Sequence, residues 1–487
     1  MRKLAILICA LTCFVLAIPG ARAAQAEEIS GGYLVESQQG FGSVGRLFDG
    51  RFMESVTVRE GSYLTLHHDA GIGSLYILFD QEGCGYTLIN EATGAEHRVD
   101  KTEFLHEFAD IQQIFGEAPE RVTIRFDTEE TRVCEVHAFT AGDVPDWVQK
   151  WKSPAEGQAD LVLFSTHGDD EQLFFAGMLP YYGRELGYNV QVVYMTGHRN
   201  MSMRRSHEML DGLWAVGVSH YPVFGPYGDY NSASKAEAYQ IYRNKNISKE
   251  DILSFVVENV RRFRPKVAVG HDLYGEYGHG MHMIYSELLC EAAEISMDPE
   301  VFPESAQIYG VWDIPKTYLH LYWEDQIRMD WDIPLRSFGG MTAYEVTKEL
   351  GFPCHVSQQP FYSYYFSGMA TALDITENSP CEFGLYRSTV GEDLEKKDFF
   401  ENVTTHGEDA LQEAKKQGEE KRLQMQQEHA ETVPEEPQII ETVPEETVTP
   451  KEIQTEAKKV PVFCAVSAVI SAVWLLFFGI KILSKNK

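Results

Sequence analysis

The segment that decides the fold is Leu161-Val-Leu-Phe-Ser-Thr-His167-Gly-Asp169-Asp170-Glu171, in which an apolar run leads into one histidine and three acids. The apolar run predicts a buried strand, and the periodicity after the cluster predicts a helix. The cluster therefore lies at a strand-to-helix junction. Open α/β sheets bind their ligands at such junctions, beyond the carboxyl ends of the strands. We expect an α/β fold with a functional site at this point.

A second cluster, His279-Gly-Met-His282, comes after the apolar run 267–269. The outer residues of each cluster lie three apart, so one helical turn can direct both members of a pair to a common point. Hydrolytic zinc takes three protein ligands and keeps its fourth position for water. Together the clusters supply such a set, and we predict the metal ligands His167, Asp170 and His282.

The remaining residues of the clusters suit the other two roles in hydrolysis. Asp169 is adjacent to a predicted ligand but free of the metal, so it is the predicted general base. His279 is the predicted donor to the oxyanion that forms during the reaction. His198 and His271 also follow strand ends, and either is an alternative to His282 as a ligand.

The surroundings of the clusters predict a parallel sheet. Apolar runs at 160–165, 189–195 and 266–270 are typical of parallel strands covered on both faces. Ser248, followed by Asp251 and an apolar periodicity, predicts the start of a helix. We assign this α/β domain to residues 157–402.

Short β-rich runs separated by turn residues precede that domain. They predict an antiparallel, all-β sandwich over residues 30–145. Within it, Leu47-Phe-Asp-Gly-Arg51 resembles the discoidin or galactose-binding-like sandwiches, which often bind glycans.

The two clusters also resemble the signatures of a known family. Thr166-His-Gly-Asp-Asp-Glu171 is similar to the His-Pro-Asp-Asp-Glu motif of the PIG-L or LmbE-like deacetylases, and Gly278-His-Gly-Met-His282 to their His-Pro-Asp-His motif. The resemblance implies a Rossmann-like parallel sheet and zinc-dependent removal of acetyl groups from N-acetylglucosaminyl groups. It further implies that Arg205 and Asp229 contact the substrate.

Two positions depart from the family pattern. Gly168 replaces a proline, which gives the turn between His167 and Asp170 more backbone freedom. Met281 replaces the aspartate that orients the first histidine of the second motif, so His279 lacks its usual partner. Asp272 and Glu276 are the candidates for that role.

The ends of the chain predict a membrane protein. Residues 1–26 have the pattern of a signal peptide. Residues 403–459 form an acidic, polar stalk that includes a helical segment at 406–430, and the apolar stretch 460–482 is long enough to cross a bilayer. Lysines follow that stretch, which predicts a single-pass protein of the cell membrane with its globular part outside.

Charge and cysteine content exclude other classes. The formal net charge of −31 argues against a nucleic-acid partner, because binding a polyanion requires a concentrated basic surface. The five cysteines outside the predicted signal and span have no Cys-x-x-Cys spacing, which argues against a thiolate zinc site. Cys84 with Cys134, or Cys354 with Cys381, remain possible disulfides.

These observations predict a zinc-dependent de-N-acetylase that acts on an N-acetylated glycan or glycolipid. Fe²⁺ or another divalent metal is an alternative cofactor, because two histidines and a carboxylate also bind iron in oxygenases. A different alternative is an inactive, stalked surface protein that binds glycans through its sandwich, since Gly168 and Met281 depart from the catalytic pattern.

Overall fold

The structure is a computed structural model that describes residues 24–31, 34–80, 83–197 and 203–432. The chain divides into two compact units, Met1–Gln417 and Gly418–Lys487. The β-sandwich and the α/β layer both belong to the first unit.

The first part of the chain is an antiparallel sandwich of two sheets. Its sheets have the strand orders β1-β3-β8-β5-β6 and β2-β9-β4-β7. Leucine, isoleucine and valine side chains from both sheets form one core between them, which explains the alternation seen in the sequence. The strands are β1 (Val35–Gln39), β2 (Val56–Arg59), β3 (Tyr63–His67), β4 (Ser74–Phe79), β5 (Tyr86–Asn90), β6 (Ala95–Val99), β7 (His106–Asp110), β8 (Arg121–Phe126) and β9 (Glu130–Phe139).

The second part is built on a seven-stranded sheet of order β12-β11-β10-β13-β14-β16-β15. Its strands are β10 (Leu161–Ser165), β11 (Val190–Thr196), β12 (Val223–Tyr227), β13 (Val267–Gly270), β14 (Lys316–His320), β15 (Gln326–Arg328) and β16 (Glu382–Ser388). Alternate residues of β10 enter different cores: Leu161 and Leu163 pack on one face of the sheet, and Val162 and Phe164 on the other. Both faces are therefore covered, as predicted from the continuous apolar runs.

The sheet is mixed rather than wholly parallel. The strands from β12 to β14 run parallel, whereas β16 pairs antiparallel with both β14 and β15. The three strands predicted from apolar runs are confirmed to within one residue. The antiparallel pair was not predicted because β15 has only three residues and β16 has no continuous apolar run.

Helices connect the strands of the α/β layer and flank the site. Ser248 caps the helix predicted there, and its capping box with Asp251 is confirmed. The α-helices are α1 (Ile111–Phe115), α2 (Asp170–Leu173), α3 (Met203–Ala215), α4 (Lys235–Arg243), α5 (Lys249–Phe263), α6 (Gly280–Ile295), α7 (Pro303–Tyr309), α8 (Ala343–Val346), α9 (Gln359–Tyr365) and α10 (His406–Thr432). Short 3₁₀ helices lie at Val44–Phe48, Glu276–Gly278, Arg336–Phe338, Phe352–Cys354, Val356–Gln358 and Ala372–Asp374, and π-helices at Pro180–Glu185 and Thr347–Gly351.

The sandwich packs directly against the α/β layer. The Tyr221 hydroxyl accepts a hydrogen bond from the Leu105 backbone N–H at 3.0 Å, and the Tyr221 ring stacks on Phe104 with the centroids 4.3 Å apart. Nearby, His106 Nε2 of the sandwich lies 2.5 Å from His207 Nδ1 of α3. The interface thus combines apolar packing with a buried polar contact.

The predicted location in the cell membrane is corrected here. Among the helices of the described residues, none combines the length and the apolar character that a bilayer crossing requires. The predicted span 460–482 lies outside the described residues, as does the predicted signal peptide except for residues 24–26. Of these, Ala26 is buried, and its N–H donates to the Asp143 carbonyl oxygen at 2.9 Å.

The two possible disulfides are absent. Cys84, Cys134, Cys354 and Cys381 are all thiols in the structure. Burial raises the pKa of the Cys84 and Cys354 thiols to about 12, so both stay protonated at neutral pH.

Candidate active site

Two neighbouring parallel strands bring the predicted site residues together. β10 and β13 are paired in register, so the turns that follow them meet at one edge of the sheet. The strand order also reverses here, because β11 and β12 extend from one side of β10, whereas β13 and β14 lie on the other. Ligands bind at such switch points in open α/β sheets. His167 and Asp170 follow β10, and His282 lies in the first turn of α6, beyond β13.

The three predicted metal ligands form a compact triangle. Asp170 Oδ2 lies 3.0 Å from His167 Nδ1 and 3.2 Å from His282 Nε2, and the two nitrogens are 3.1 Å apart. Ligand atoms at the zinc distances of about 2.0–2.1 Å are separated by about 3.3 Å in a tetrahedral site. All three side chains are buried. The donor set and its spacing therefore fit a zinc ion without rearrangement.

The charge at the triangle favours a cation. Burial alone lowers the pKa of an imidazole, but the Asp170 carboxylate overcomes it and raises the pKa to about 10 at His167 and to about 9 at His282. Burial likewise opposes ionisation of Asp170, yet the two histidines hold the pKa of its carboxyl well below the ordinary value. A buried carboxylate that draws protons onto its neighbours also attracts a divalent ion.

One of the alternative ligands, His271, has a ring nitrogen within 4.8 Å of ligand atoms of Asp170 and His282, but its hydrogen bonds make it less suited to a metal. His271 Nε2 lies 3.0 Å from the Thr166 N–H and accepts its hydrogen bond, and Nδ1 lies 2.9 Å from Glu276 Oε2. The lone pair of His271 is therefore already used. His198 lies outside the described residues. His279 is close enough to His167 and His282 to be a ligand in a three-histidine arrangement, since ring nitrogens of the three lie within 4.8 Å of one another.

Glu276 has a role that the sequence did not indicate. Its Oε2 lies 2.7 Å from His282 Nδ1 and 2.9 Å from His271 Nδ1, and its Oε1 lies 2.6 Å from His320 Nδ1. Its side chain is fully buried, and although burial raises the pKa of a carboxyl, His271 and His282 hold it well below the ordinary value. A carboxylate that orients a ligating histidine is a common support for metal sites. His320 lies on β14, and no local pattern relates it to Glu276.

Asp169 lies beside the triangle and is held by Arg205. The Asp169 Oδ1 and Arg205 Nη2 atoms are 3.1 Å apart, and Arg205 Nη1 lies 3.5 Å from Glu208 Oε2. Burial raises the pKa of the Asp169 carboxyl above its ordinary value, and the charge of Arg205 opposes that rise. A carboxyl with a raised pKa is better suited to exchange protons near neutral pH. Arg205 is itself almost fully buried, and it lines the candidate cavity together with the predicted base.

A further histidine completes the surroundings of Arg205. His355 Nδ1 lies 3.3 Å from Arg205 Nη1, and His355 Nε2 lies 3.0 Å from Glu171 Oε1. His355 lies between the 3₁₀ helices Phe352–Cys354 and Val356–Gln358, about 150 residues beyond Arg205. The motif residue Glu171 is therefore buried beside His355 rather than exposed in the cavity.

His279 lacks a carboxylate partner among the described residues. The Asp272 carboxylate accepts a hydrogen bond from the Tyr274 N–H. The Glu276 carboxylate contacts His271, His282 and His320. Neither therefore replaces the aspartate of the family motif. The Met281 side chain lies in the core. Burial, together with the nearby His167, lowers the pKa of His279 to about 3, which leaves a neutral imidazole. Its ring packs edge-on against His167 with the centroids 4.9 Å apart.

Asp229, predicted to contact substrate, lies next to the predicted metal ligand His167. Its Oδ1 is 3.2 Å from His167 Nε2, the ring nitrogen that faces away from the triangle. It lines the same cavity as Asp169 and His279, and this cavity has a volume of about 800 Å³. All of the predicted site residues except the fully buried His282 thus line one cavity at the carboxyl edge of the sheet.

The glycine in the first motif has a packing explanation. A Cβ atom at Gly168 would lie 2.3–2.5 Å from the Cγ, Sδ and Cε atoms of Met209 on α3. The Met209 side chain fills the space that a residue with a side chain would need. Gly168 therefore reflects a close helix contact rather than only a need for backbone freedom.

Comparisons with known proteins agree with the motif resemblance. No family model matches the chain. The chain is 26% identical over 183 residues to the 1D-myo-inositol 2-acetamido-2-deoxy-alpha-D-glucopyranoside deacetylase of Streptomyces griseus. This alignment covers 34% of this chain and 54% of that protein. The deacetylase of the same name from Nocardioides is 24% identical to the chain over 213 residues. This alignment covers 38% of this chain and 69% of that protein. The first of these alignments spans about half of its relative.

Solved structures with similar parts fall into two groups. The N,N'-diacetylchitobiose deacetylase of Pyrococcus horikoshii matches 44% of this chain and 81% of its own, with 15% identity and a TM-score of 0.30. The family 32 carbohydrate-binding module of NanJ from C. perfringens matches 22% of this chain and 90% of its own, with 15% identity and a TM-score of 0.17. The predicted resemblance to the PIG-L or LmbE-like deacetylases is confirmed by the relatives that the chain matches.

Proposed function

We propose that this chain, with its resemblance to the PIG-L or LmbE-like deacetylases, is a metal-dependent hydrolase that removes the N-acetyl group from an N-acetylglucosamine-type sugar or glycan. The observation that carries the proposal is the triangle of His167, Asp170 and His282, with Asp169 beside it in a cavity of about 800 Å³. The relatives named above act on an acetylated amino sugar, as their names state.

Zinc is the metal that we assign to the triangle, and Fe²⁺ or another divalent ion would suit the same donors. When bound, such an ion lowers the pKa of a coordinated water to about 7 and so supplies hydroxide at neutral pH. The hydrogen bond between Glu276 and His282 Nδ1 would leave Nε2, which lies beside Asp170 and His167, as the nitrogen that binds the ion in exchange for its proton. Asp229 Oδ1 lies 3.2 Å from His167 Nε2, the ring nitrogen that would not bind the ion.

Asp169 is the proposed general base. It accepts a proton from the water whose oxygen forms the new bond to the acetyl carbon. It then gives that proton to the sugar nitrogen as the C–N bond breaks, so that acetate and an amine are released. Arg205 holds the carboxylate in place at 3.1 Å. We assign Arg205 to positioning the base.

His279 is the proposed donor to the carbonyl oxygen, on which negative charge develops. Its lowered pKa keeps the ring neutral, and a neutral imidazole still donates one N–H. Its Nδ1 atom is buried without a hydrogen-bond partner among the described residues.

The proposal is tested by measuring acetate release from N-acetylglucosamine and its oligomers. The full chain is assayed with added zinc and after treatment with a chelator, and its metal content is measured by elemental analysis. We expect acetate release that the chelator abolishes and zinc restores. Metal-loaded protein that releases no acetate from any of these sugars contradicts the proposal.

A further inference from the structure

Exposed aromatic side chains collect at the edge of the sheet that carries the candidate site. Five of them have between 48% and 66% of their surface exposed: Tyr274, Tyr277, Trp323, Phe361 and Tyr364. They come from three segments: the turn after β13, the turn after β14, and helix α9. Since β13 and β14 are parallel neighbours, their turns share one edge. Clustered apolar surface of this kind marks ligand-binding grooves.

Tyr277 is held over the inner part of the cavity by a strained backbone. Its φ of 47° lies in the left-handed region, which is costly for a bulky residue. Its ring centroid lies 5.5 Å from both His279 and His282, and 6.0 Å from Phe174. Strain of this kind concentrates at functional sites. The backbone conformation keeps an aromatic face next to the reacting position.

Phe361 and Tyr364 also line the cavity, from α9, together with polar groups such as Gln358 and Ser363. The cavity lining thus combines aromatic rings with hydrogen-bonding groups. Sugar rings present apolar C–H faces and a rim of hydroxyl groups, so this combination suits them.

A second aromatic surface lies outside that cavity. The rings of Tyr274 and Trp323 lie side by side, with centroids 5.5 Å apart and an angle of 34° between their planes. Neither residue lines the cavity, although Tyr274 precedes Tyr277 by only three residues. The Trp323 ring also packs against the Tyr322 ring, with the centroids 4.7 Å apart. We call Tyr274 and Trp323 the outer platform.

The charges around the cavity favour a neutral ligand. Among the described residues that line it, Arg205 is paired with Asp169 and Glu208, and His167 is paired with Asp170 and Asp229. Away from the metal position, an anionic sugar unit would meet these carboxylates and no unpaired cationic side chain among the described lining residues.

Resting on the proposed function, we propose that the substrate is a neutral, linear oligosaccharide or polysaccharide rather than a single small sugar. One N-acetylated unit occupies the cavity at Asp169, and later units of the same chain stack on the outer platform. The platform then sets the preference for chain length.

The test compares β-1,4-linked N-acetylglucosamine oligomers of one to six units. For the zinc-loaded full chain, we expect kcat/KM for the hexamer to exceed that for the monomer by at least tenfold. In the double variant Tyr274→Ala/Trp323→Ala, the ratio of hexamer to monomer falls towards one. The conservative variant Trp323→Phe keeps an aromatic face and retains most of the preference. Ile308→Ala, an exposed apolar site on α7 before β14, is the matched control and keeps the wild-type ratio.

The outcomes separate this inference from the proposed function. Acetate release with equal efficiency on all lengths, or a preference that the double variant retains, overturns the inference and leaves the proposed function intact. If no sugar yields acetate, the proposed function fails, and calorimetric binding of the hexamer and the monomer then decides the inference. Tighter binding of the hexamer that the double variant loses supports the platform, and equal binding overturns it.

Discussion

Glu276 Oε2 accepts a hydrogen bond from His282 Nδ1 at 2.7 Å, and the opposite nitrogen of the same ring faces Asp170 at 3.2 Å. The carboxylate thereby fixes which nitrogen of His282 carries the proton. Carboxylates in this position raise the basicity of a ligating histidine and hold its ring in place. The metal affinity of the site should therefore depend on a residue that does not touch the metal.

We expect Glu276→Gln to weaken metal binding by about 10–100-fold, which is typical when such a supporting carboxylate is lost. The amide cannot accept all the hydrogen bonds that the three histidines offer. Competition with a chromophoric chelator measures the affinity. Glu60→Gln, at an exposed turn, is the control. Equal affinities in the two variants would remove Glu276 from the metal site.

Asp169→Asn should retain metal but lose about 10²–10⁴-fold in kcat/KM, because the amide cannot accept the proton of the attacking water.

His167→Ala should lose both the metal and the activity, since it removes one corner of the predicted ligand triangle. Elemental analysis and acetate release are measured on the same preparations. Full activity of the Asn variant would show that another group is the base.

Gly168→Ala should destabilise the protein by about 1–3 kcal/mol, as overpacking typically does. The new methyl group meets the Met209 side chain at 2.3–2.5 Å. Met209→Ala opens that space, so the double variant Gly168→Ala/Met209→Ala should lose less stability than the sum of the single variants. Denaturant unfolding monitored by fluorescence measures the differences. Strict additivity would mean that the two side chains do not compete for the space.

The buried histidines between the sandwich and the α/β layer predict a pH dependence of stability. Burial lowers the pKa of His207 to about 4, and burial with the charge of His207 lowers the pKa of His106 well below its ordinary value. The unfolded chain, with an ordinary histidine pKa of about 6.5, binds more protons than the folded chain below that pH. The contribution of these two histidines to the free energy of unfolding is therefore fully present above about pH 6.5, and it is lost as the pH falls towards 4.

For His207 alone, this amounts to about 2 kcal/mol between pH 6.5 and pH 5, at about 1.4 kcal/mol per pH unit. His207→Gln does not titrate, so its stability should fall less over that interval than that of the wild type. Unfolding midpoints at the two pH values provide the comparison, which cancels the effect of groups that do not interact with His207. Parallel losses in both proteins would show that His207 titrates normally.

Local patterns identified the parts of the fold that depend on local physics. Each of β10, β11 and β13 is buried on both faces, so each is a continuous apolar run that stands out in the sequence. The cap at Ser248 is a contact between residues three apart. The antiparallel strand β16 has mixed burial and no such run, so it was visible only once its partners were in place.

The sequence by itself determined which residues are candidates for the chemistry, because side chains able to bind a metal are few and recur at helical spacing after buried strands. Only the tertiary structure decided their partners. Glu276 contacts histidines 5, 6 and 44 residues away. Arg205 lines the cavity and also pairs with Asp169. The Met209 side chain fills the space that a side chain at position 168 would need. Such contacts depend on which strand ends become neighbours in the sheet. That pairing follows from the burial of whole elements, and no short stretch of the chain encodes it.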